Sequence, residues 1–298
     1  MGTRRHLLTR SGLIAAAFGA AASLGLITSK KADADAVSDL GFRPDTGPGT
    51  ATSDYNILNF ALNLEYLEAE FYQRAVTGAG LSPADTSGIG TTGTVTGGSP
   101  VLFTTPAIQQ YAAEIASDEL AHVRFLRAAL GPFAVAEPTI DLFTSFTTAA
   151  VAAGLIPPGA TFNPFANETN FLLGSYIFED VGVTAYHGAA SLIQNKTYLD
   201  AAAGILAIEA YHAATVRTLL LQMGQAPATT AISALRAAAS GAADDQGVTL
   251  GGVANISLGD GNAIAYSRST AQVLNVVYLG GASGGFGFFP AGLNGAIA

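Results

Sequence analysis

Glu119-Leu120-Ala121-His122 and, ninety positions on, Glu209-Ala210-Tyr211-His212 each set a carboxylate three residues ahead of an imidazole. Residues three apart share one face of an α-helix. Each step therefore presents carboxylate and imidazole side by side, the pairing with which helix bundles hold metal ions. A lone ExxH is a weak signal. Its weight here comes from the second copy and from two further glutamates in register with the pair.

Four amphipathic segments carry these residues, expected as helices at roughly 54–77, 105–130, 168–192 and 198–223. Ser53 or Asp54 can cap the first, Pro106 suits the first turn of the second, and Gly131-Pro132 and Gly224 supply stops. Stepping 100° per residue from Glu65 puts Leu58, Ala61, Leu62, Glu68, Ala69 and Tyr72 on its face and Glu70 opposite. Around Glu119 the same construction gathers Ala112, Ile115, Ala116, His122, Val123, Leu126 and Leu130, with Glu114 and Asp118 pointing away. Glu179 shares its face with Leu172, Ser175, Tyr176, Gly182, Val183 and Tyr186. Glu209 shares its own with Ala202, Ile205, Leu206, His212, Ala213, Val216 and Leu220. Each helix thus centres an apolar stripe on one glutamate, a costly place for a carboxylate without a partner.

The four faces form an internal repeat. Glu65 and Tyr72 are spaced as Glu179 and Tyr186 are, and Ile115, Glu119, His122 and Leu126 match Ile205, Glu209, His212 and Val216. The set Glu, ExxH, Glu, ExxH brings about four negative charges to one point, repelling by several kcal/mol unless cations or protons intervene. Two divalent ions would neutralise it, and oxygen-rich donors suit iron or manganese. Glu68 stands at the edge of its face as an extra ligand or a rim carboxylate. Tyr72 and Tyr186 are candidates to hydrogen-bond the ligand carboxylates, or core tyrosines with satisfied hydroxyls. His187 and Asp180 lie about 80° and 100° off the face of Glu179 and are set outside the ligand set.

The N-terminus reads as a twin-arginine export leader over 1–36: Arg4-Arg5, an apolar run at 12–27 and Ala34-Asp35-Ala36 as a cleavage site. A periplasmic or extracellular location follows, with no integral membrane span in the mature chain. Removing the leader takes five of the 13 basic residues and two of the 22 acidic ones, leaving 8 against 20, or −12. Nucleic acid is a poor partner for that charge. Cysteine is absent, so thiolate chemistry and disulfides are excluded. A linker covers 37–53, the bundle 54–224, and a C-terminal extension 225–298. Within the bundle lie a Gly/Thr/Ser-rich excursion at 78–104 and a long crossing connection at 131–168 with a helical piece near 139–153. The extension reads as a helix at 227–240, a hairpin over Val253–Tyr266 turning at Asp260-Gly261, helix at Ser269–Tyr278, and a Gly/Phe-rich end that packs on the bundle or on a partner.

The steps ALNLEYLEAEFY, DELAHVRFLRAALG, FEDVGVTAYHGAA and ILAIEAYHAATVR, with STAQVLNVVYLG and GGFGFFPAGLNG in the tail, resemble the desiccation-related ferritin-like proteins of plants and bacteria across about residues 54–295. The resemblance implies an all-α fold, a ferritin-like four-helix bundle with a long crossover between helices 2 and 3, followed by a Gly-rich mixed tail. It also implies Glu65, Glu119, His122, Glu179, Glu209 and His212 as ligands of two Fe or Mn ions, with Glu119 and Glu209 bridging. The function expected is an exported oxidoreductase that oxidises Fe(II) or consumes peroxide, with O2 or peroxide as its small partner and homo-oligomerisation open. The alternative is a stress-associated structural or binding protein of the cell envelope whose metal site is structural, only holding helices together, or degenerate.

Overall fold

The computed structural model describes residues 50–281 and 287–297. The leader, and the linker up to residue 49, lie outside the described residues. Four long helices carry the site: α1 (Thr50–Thr77), α3 (Pro106–Leu130), α5 (Glu168–Ala190) and α6 (Lys196–Gln222). Helix α1 packs along α3, and α5 along α6, so each repeat is one helical hairpin. The N-cap side chains of Asn167 and Asn195 accept from backbone N–H groups one turn into α5 and α6, which fixes where those helices start. Pro106 opens α3, and Gly131, at φ 55°, closes it in a conformation that costs a side-chain-bearing residue more.

The first helix begins at Thr50, ahead of the expected cap. Asp54 is instead buried, and its carboxylate accepts from the backbone N–H of Gln194 and Asn195, tying α1 to the α5–α6 turn. Between the hairpins runs the long crossover, with a 3-10 turn at Gly131–Phe133, strand β2 (Ile140–Asp141) and helix α4 (Thr144–Ala152). The 78–104 excursion, which holds the short helix α2 (Pro83–Thr86) and strand β1 (Val95–Thr96), lies against it. Strands β1 and β2 pair in parallel, Val95 with Ile140 and Thr96 with Asp141. Gly88 and Gly93 permit this approach, because a Cβ at either would strike the 134–139 backbone.

The extension packs on the bundle. Helix α7 (Ala226–Ser240) is followed by a two-residue ladder, β3 (Thr249–Leu250) with β4 (Val253–Ala254), and by α8 (Thr270–Val277) with a Ser269/Gln272 capping box. The hairpin expected around Asp260-Gly261 shrinks to one bridge between Gly259 and Ala265. There the Asp260 carboxylate accepts from the N–H groups of Asn262 and Ile264 and closes a tight local turn that competes with strand pairing. Phe288 inserts edge-on between Phe146 and Phe178, joining the aromatic core around Phe71. Such pairs add about 0.5–1.5 kcal/mol each beyond their buried area.

A buried ion network also fastens this tail. Asp180 on α5 pairs with Arg217 of α6 and Arg236 of α7, both at 2.8 Å, and Arg236 and Arg268 both reach Asp245. Arg268 further binds Asp244 at 2.9 Å. Three guanidinium groups meet three carboxylates, so the charge balances where solvent cannot screen it. No helix among the described residues is long and apolar enough to cross a membrane.

Candidate metal centre

The inward faces meet at mid-bundle. Glu65, Glu119 and Glu209 are fully buried, Glu179 is 1% exposed, and His122 and His212 are 8% and 6% exposed. Two overlapping groups form, each offering four ligand atoms within 4.8 Å of one another: Glu65, Glu119, His122 and Glu209 in one, Glu119, Glu179, Glu209 and His212 in the other. Glu119 and Glu209 belong to both. His122 Nδ1 stands 3.3 Å from Glu65, 3.5 Å from Glu119 and 3.6 Å from Glu209. His212 Nδ1 stands 3.0 Å from Glu119 and 3.5 Å from Glu179.

These atoms crowd without bonding to one another. Of eleven buried side-chain N and O atoms without a hydrogen-bond partner among the described residues, eight belong to these six side chains. They are both oxygens of Glu119 and of Glu209, one oxygen each of Glu65 and Glu179, and the two Nδ1 atoms. Donor atoms arranged around a common point, rather than aimed at each other, are what a cation shell requires, and the residues present fit one. The remaining oxygens of Glu65 and Glu179 are taken: Tyr186 donates to Glu65 Oε1, and Tyr72 donates to Glu179 Oε1. Each tyrosine crosses to the glutamate of the other hairpin, so the repeat holds its two outer carboxylates by the same device.

Electrostatics follow from the crowding. Burial pushes Glu65 up to about 7, against the pull of His122. Burial and the neighbouring carboxylates carry Glu209 and Glu68 well above the usual range, and burial raises Glu179. Burial also works to raise Glu119, but the His122 and His212 imidazoles overturn it and hold that carboxyl far below normal. Burial would lower His122 and His212, yet their carboxylate neighbours hold both well above the ordinary imidazole value. The site thus retains protons on the protein groups alone, and cations would take their place.

Glu68 is buried close by but falls outside both four-ligand groups. Its counterpart in the repeat, Gly182, has a steric role: a Cβ there would collide with the Glu209 carboxylate. Asp118, read from its own helix as pointing away, places Oδ2 3.2 Å from His212 Nε2. The helical wheel measures orientation against one axis, and α6 approaches on the side the wheel left open. Glu70, set opposite the inward face, is itself buried: it binds Arg74 at 2.5 Å and accepts from the N–H of Leu81. His187 makes a loop contact, Nδ1 lying 3.2 Å from the Tyr266 carbonyl.

Four helices joined by a long crossover around a buried carboxylate and histidine cluster define a ferritin-like protein. Residues 53–222 match the model of the ferritin-like domain, and the chain belongs to that family. It is 30% identical to a ferritin-like catalase of Nesocodon mauritianus over 274 residues, 84% of this chain and 86% of that protein. It is also 35% identical over 181 residues to a desiccation-related protein of Craterostigma plantagineum, covering 57% of this chain and about half, 54%, of the relative. No solved structure matches the chain.

Proposed function

We propose that this chain binds two iron or manganese ions and consumes peroxide. Glu65, Glu119, His122 and Glu209 would hold one ion and Glu119, Glu179, Glu209 and His212 the other, with Glu119 and Glu209 common to both groups. One observation carries the assignment: both oxygens of Glu119 and of Glu209 are left without hydrogen bonds at the centre, whereas Glu65 and Glu179 each leave one. A carboxylate with two unbonded inward oxygens can span two ions, and one with a single such oxygen can serve one.

Two redox-active ions would relay electrons between two peroxide molecules, one oxidised to dioxygen and the other reduced to two waters, or from Fe(II) to peroxide as the oxidant. The protein's part is to hold and orient. Tyr72 and Tyr186 fix the outer carboxylates, Asp118 sets the orientation of His212, and the apolar faces limit water at the centre. Similarity to a protein named a ferritin-like catalase favours peroxide over iron storage. The twin-arginine leader supports export in the folded, loaded state.

A second reading, a stress-associated structural or binding protein of the envelope in which metal only clamps the hairpins, draws on the similarity to the desiccation-related protein. Elemental analysis and peroxide assays separate the two. The proposal expects two Fe or Mn per chain and loss of both metal and turnover in Glu119→Ala. Protein that binds metal but leaves peroxide untouched favours the clamp. Protein that takes up no metal on reconstitution overturns both.

A further inference from the structure

The two halves of the centre are not equally enclosed. Against His212, Asp118 seats on Nε2. His122 instead forms part of the wall of a crevice of about 360 Å3 between α3 and α6. The internal repeat explains the difference. Shifted by ninety, Ala201 of the crevice corresponds to Tyr111, Gly204 to Glu114, Ala121 to Tyr211 and Ile208 to Asp118. At three of these positions, Ala201, Gly204 and Ala121, the His122 end carries the smaller side chain, whereas Ile208 and Phe125, opposite Asp118 and Thr215, are the larger members of their pairs. Asp200, exposed, lines the same crevice and sets a carboxylate along the way in.

We infer that this crevice is the entrance through which divalent cations, and then peroxide, reach the centre, with Ala121, Ala201 and Gly204 keeping it open. The inference rests on the metal-centre reading above. A rival approach, the apolar cavity beside Glu68 and Gly182, holds only about 20 Å3. That is room for about one water molecule, too little for a hydrated divalent ion. The crevice is large enough and is bordered by a carboxylate and by a ligand histidine.

Gly204 offers a direct test. It is exposed on α6, and a Cβ there meets nothing within 4 Å, so side chains can be added without disturbing the fold. The measurement is uptake of Mn(II) by chelator-stripped full-length protein, followed by loss of the free-ion paramagnetic resonance signal. Gly204→Ala should load within about twofold of the wild-type rate, and Gly204→Phe at least about tenfold more slowly, because a filled crevice leaves no passage. Final Mn per chain and melting temperature should stay unchanged. Asp200→Asn should slow loading by about two- to fivefold at low ionic strength and by nothing at high salt.

Loading of Gly204→Phe at the wild-type rate overturns the inference while leaving the metal centre intact. So does a lower final Mn content in that variant, which would mean the site rather than its approach had changed. Wild-type protein that takes up no Mn(II) overturns the inference together with the reading beneath it.

Discussion

Asp118 and His212 belong to opposite hairpins, yet Asp118 Oδ2 lies 3.2 Å from His212 Nε2 while the ring's other nitrogen faces Glu119 at 3.0 Å. The residue just before one motif's glutamate thereby orients the other motif's histidine. A carboxylate at Nε2 holds that N–H and turns Nδ1, as a ligand atom, toward the centre. At the equivalent place in the other half stands Ile208, which offers no such bond. The two four-residue groups are chemically unequal for that reason.

Asp118→Asn should therefore weaken one ion and spare the other. The expected loss is about 10–100-fold in affinity at the His212 half. Calorimetric titration of the stripped protein would show two unequal steps, with only one displaced in the variant. Equal weakening of both steps would contradict the assignment.

Gly182→Ala adds one methyl group where the Glu209 carboxylate already lies. Because Glu209 belongs to both four-ligand groups, its displacement should disturb both ions, and metal content should fall below half of wild type. Far-ultraviolet circular dichroism should be unchanged, since alanine favours the helix by about 1 kcal/mol over glycine. Full metal content in this variant would mean that Glu209 has room the geometry does not show.

Stability of the stripped protein should depend on pH in a defined direction. Burial raises Glu65 from 4.5 to about 7, and Glu68, Glu179 and Glu209 are also raised. A group whose folded value lies above its unfolded one adds stability fully below the unfolded value and loses it as pH rises through the folded one. His122 and His212, also raised, act in the same sense. Glu119, depressed, adds stability above its ordinary 4.5 and loses it only toward lower pH. Thermal melts in chelator should fall from about pH 5 to about pH 8, and bound metal should raise the melting temperature more at the higher pH. A stripped protein with a flat profile would show that the carboxylates do not share one site.

Asp180→Ala leaves Arg217 and Arg236 buried without that carboxylate between them. Breaking a buried pair from one side costs about 3–5 kcal/mol. Urea unfolding should show that loss, while metal content in the folded protein stays at the wild-type level. A loss below about 1 kcal/mol would place the network among weak surface pairs.

Local chemistry settled much of this protein in one dimension. The four glutamates and two histidines that converge at mid-bundle were legible because helix periodicity is local, and a charge at the centre of an apolar stripe needs a partner. The repeat supplied the rest, since matching spacings in both hairpins predict matching positions in space. Tertiary packing decided what periodicity cannot encode. Asp118, Glu70 and Asp180 all sit off the ligand-bearing stripe, and each acquired a partner, His212, the Leu81 N–H and Arg217 respectively, only because another helix or loop arrived there. The Asp260 turn won over an extended hairpin through its own carboxylate. The ligand sets of the two halves look alike along the chain, although their flanking residues do not. The halves differ in space because small side chains leave a crevice beside His122, whereas Asp118 closes on His212. An angle around one helix axis is fixed by sequence, but which neighbour fills that angle depends on all the axes at once.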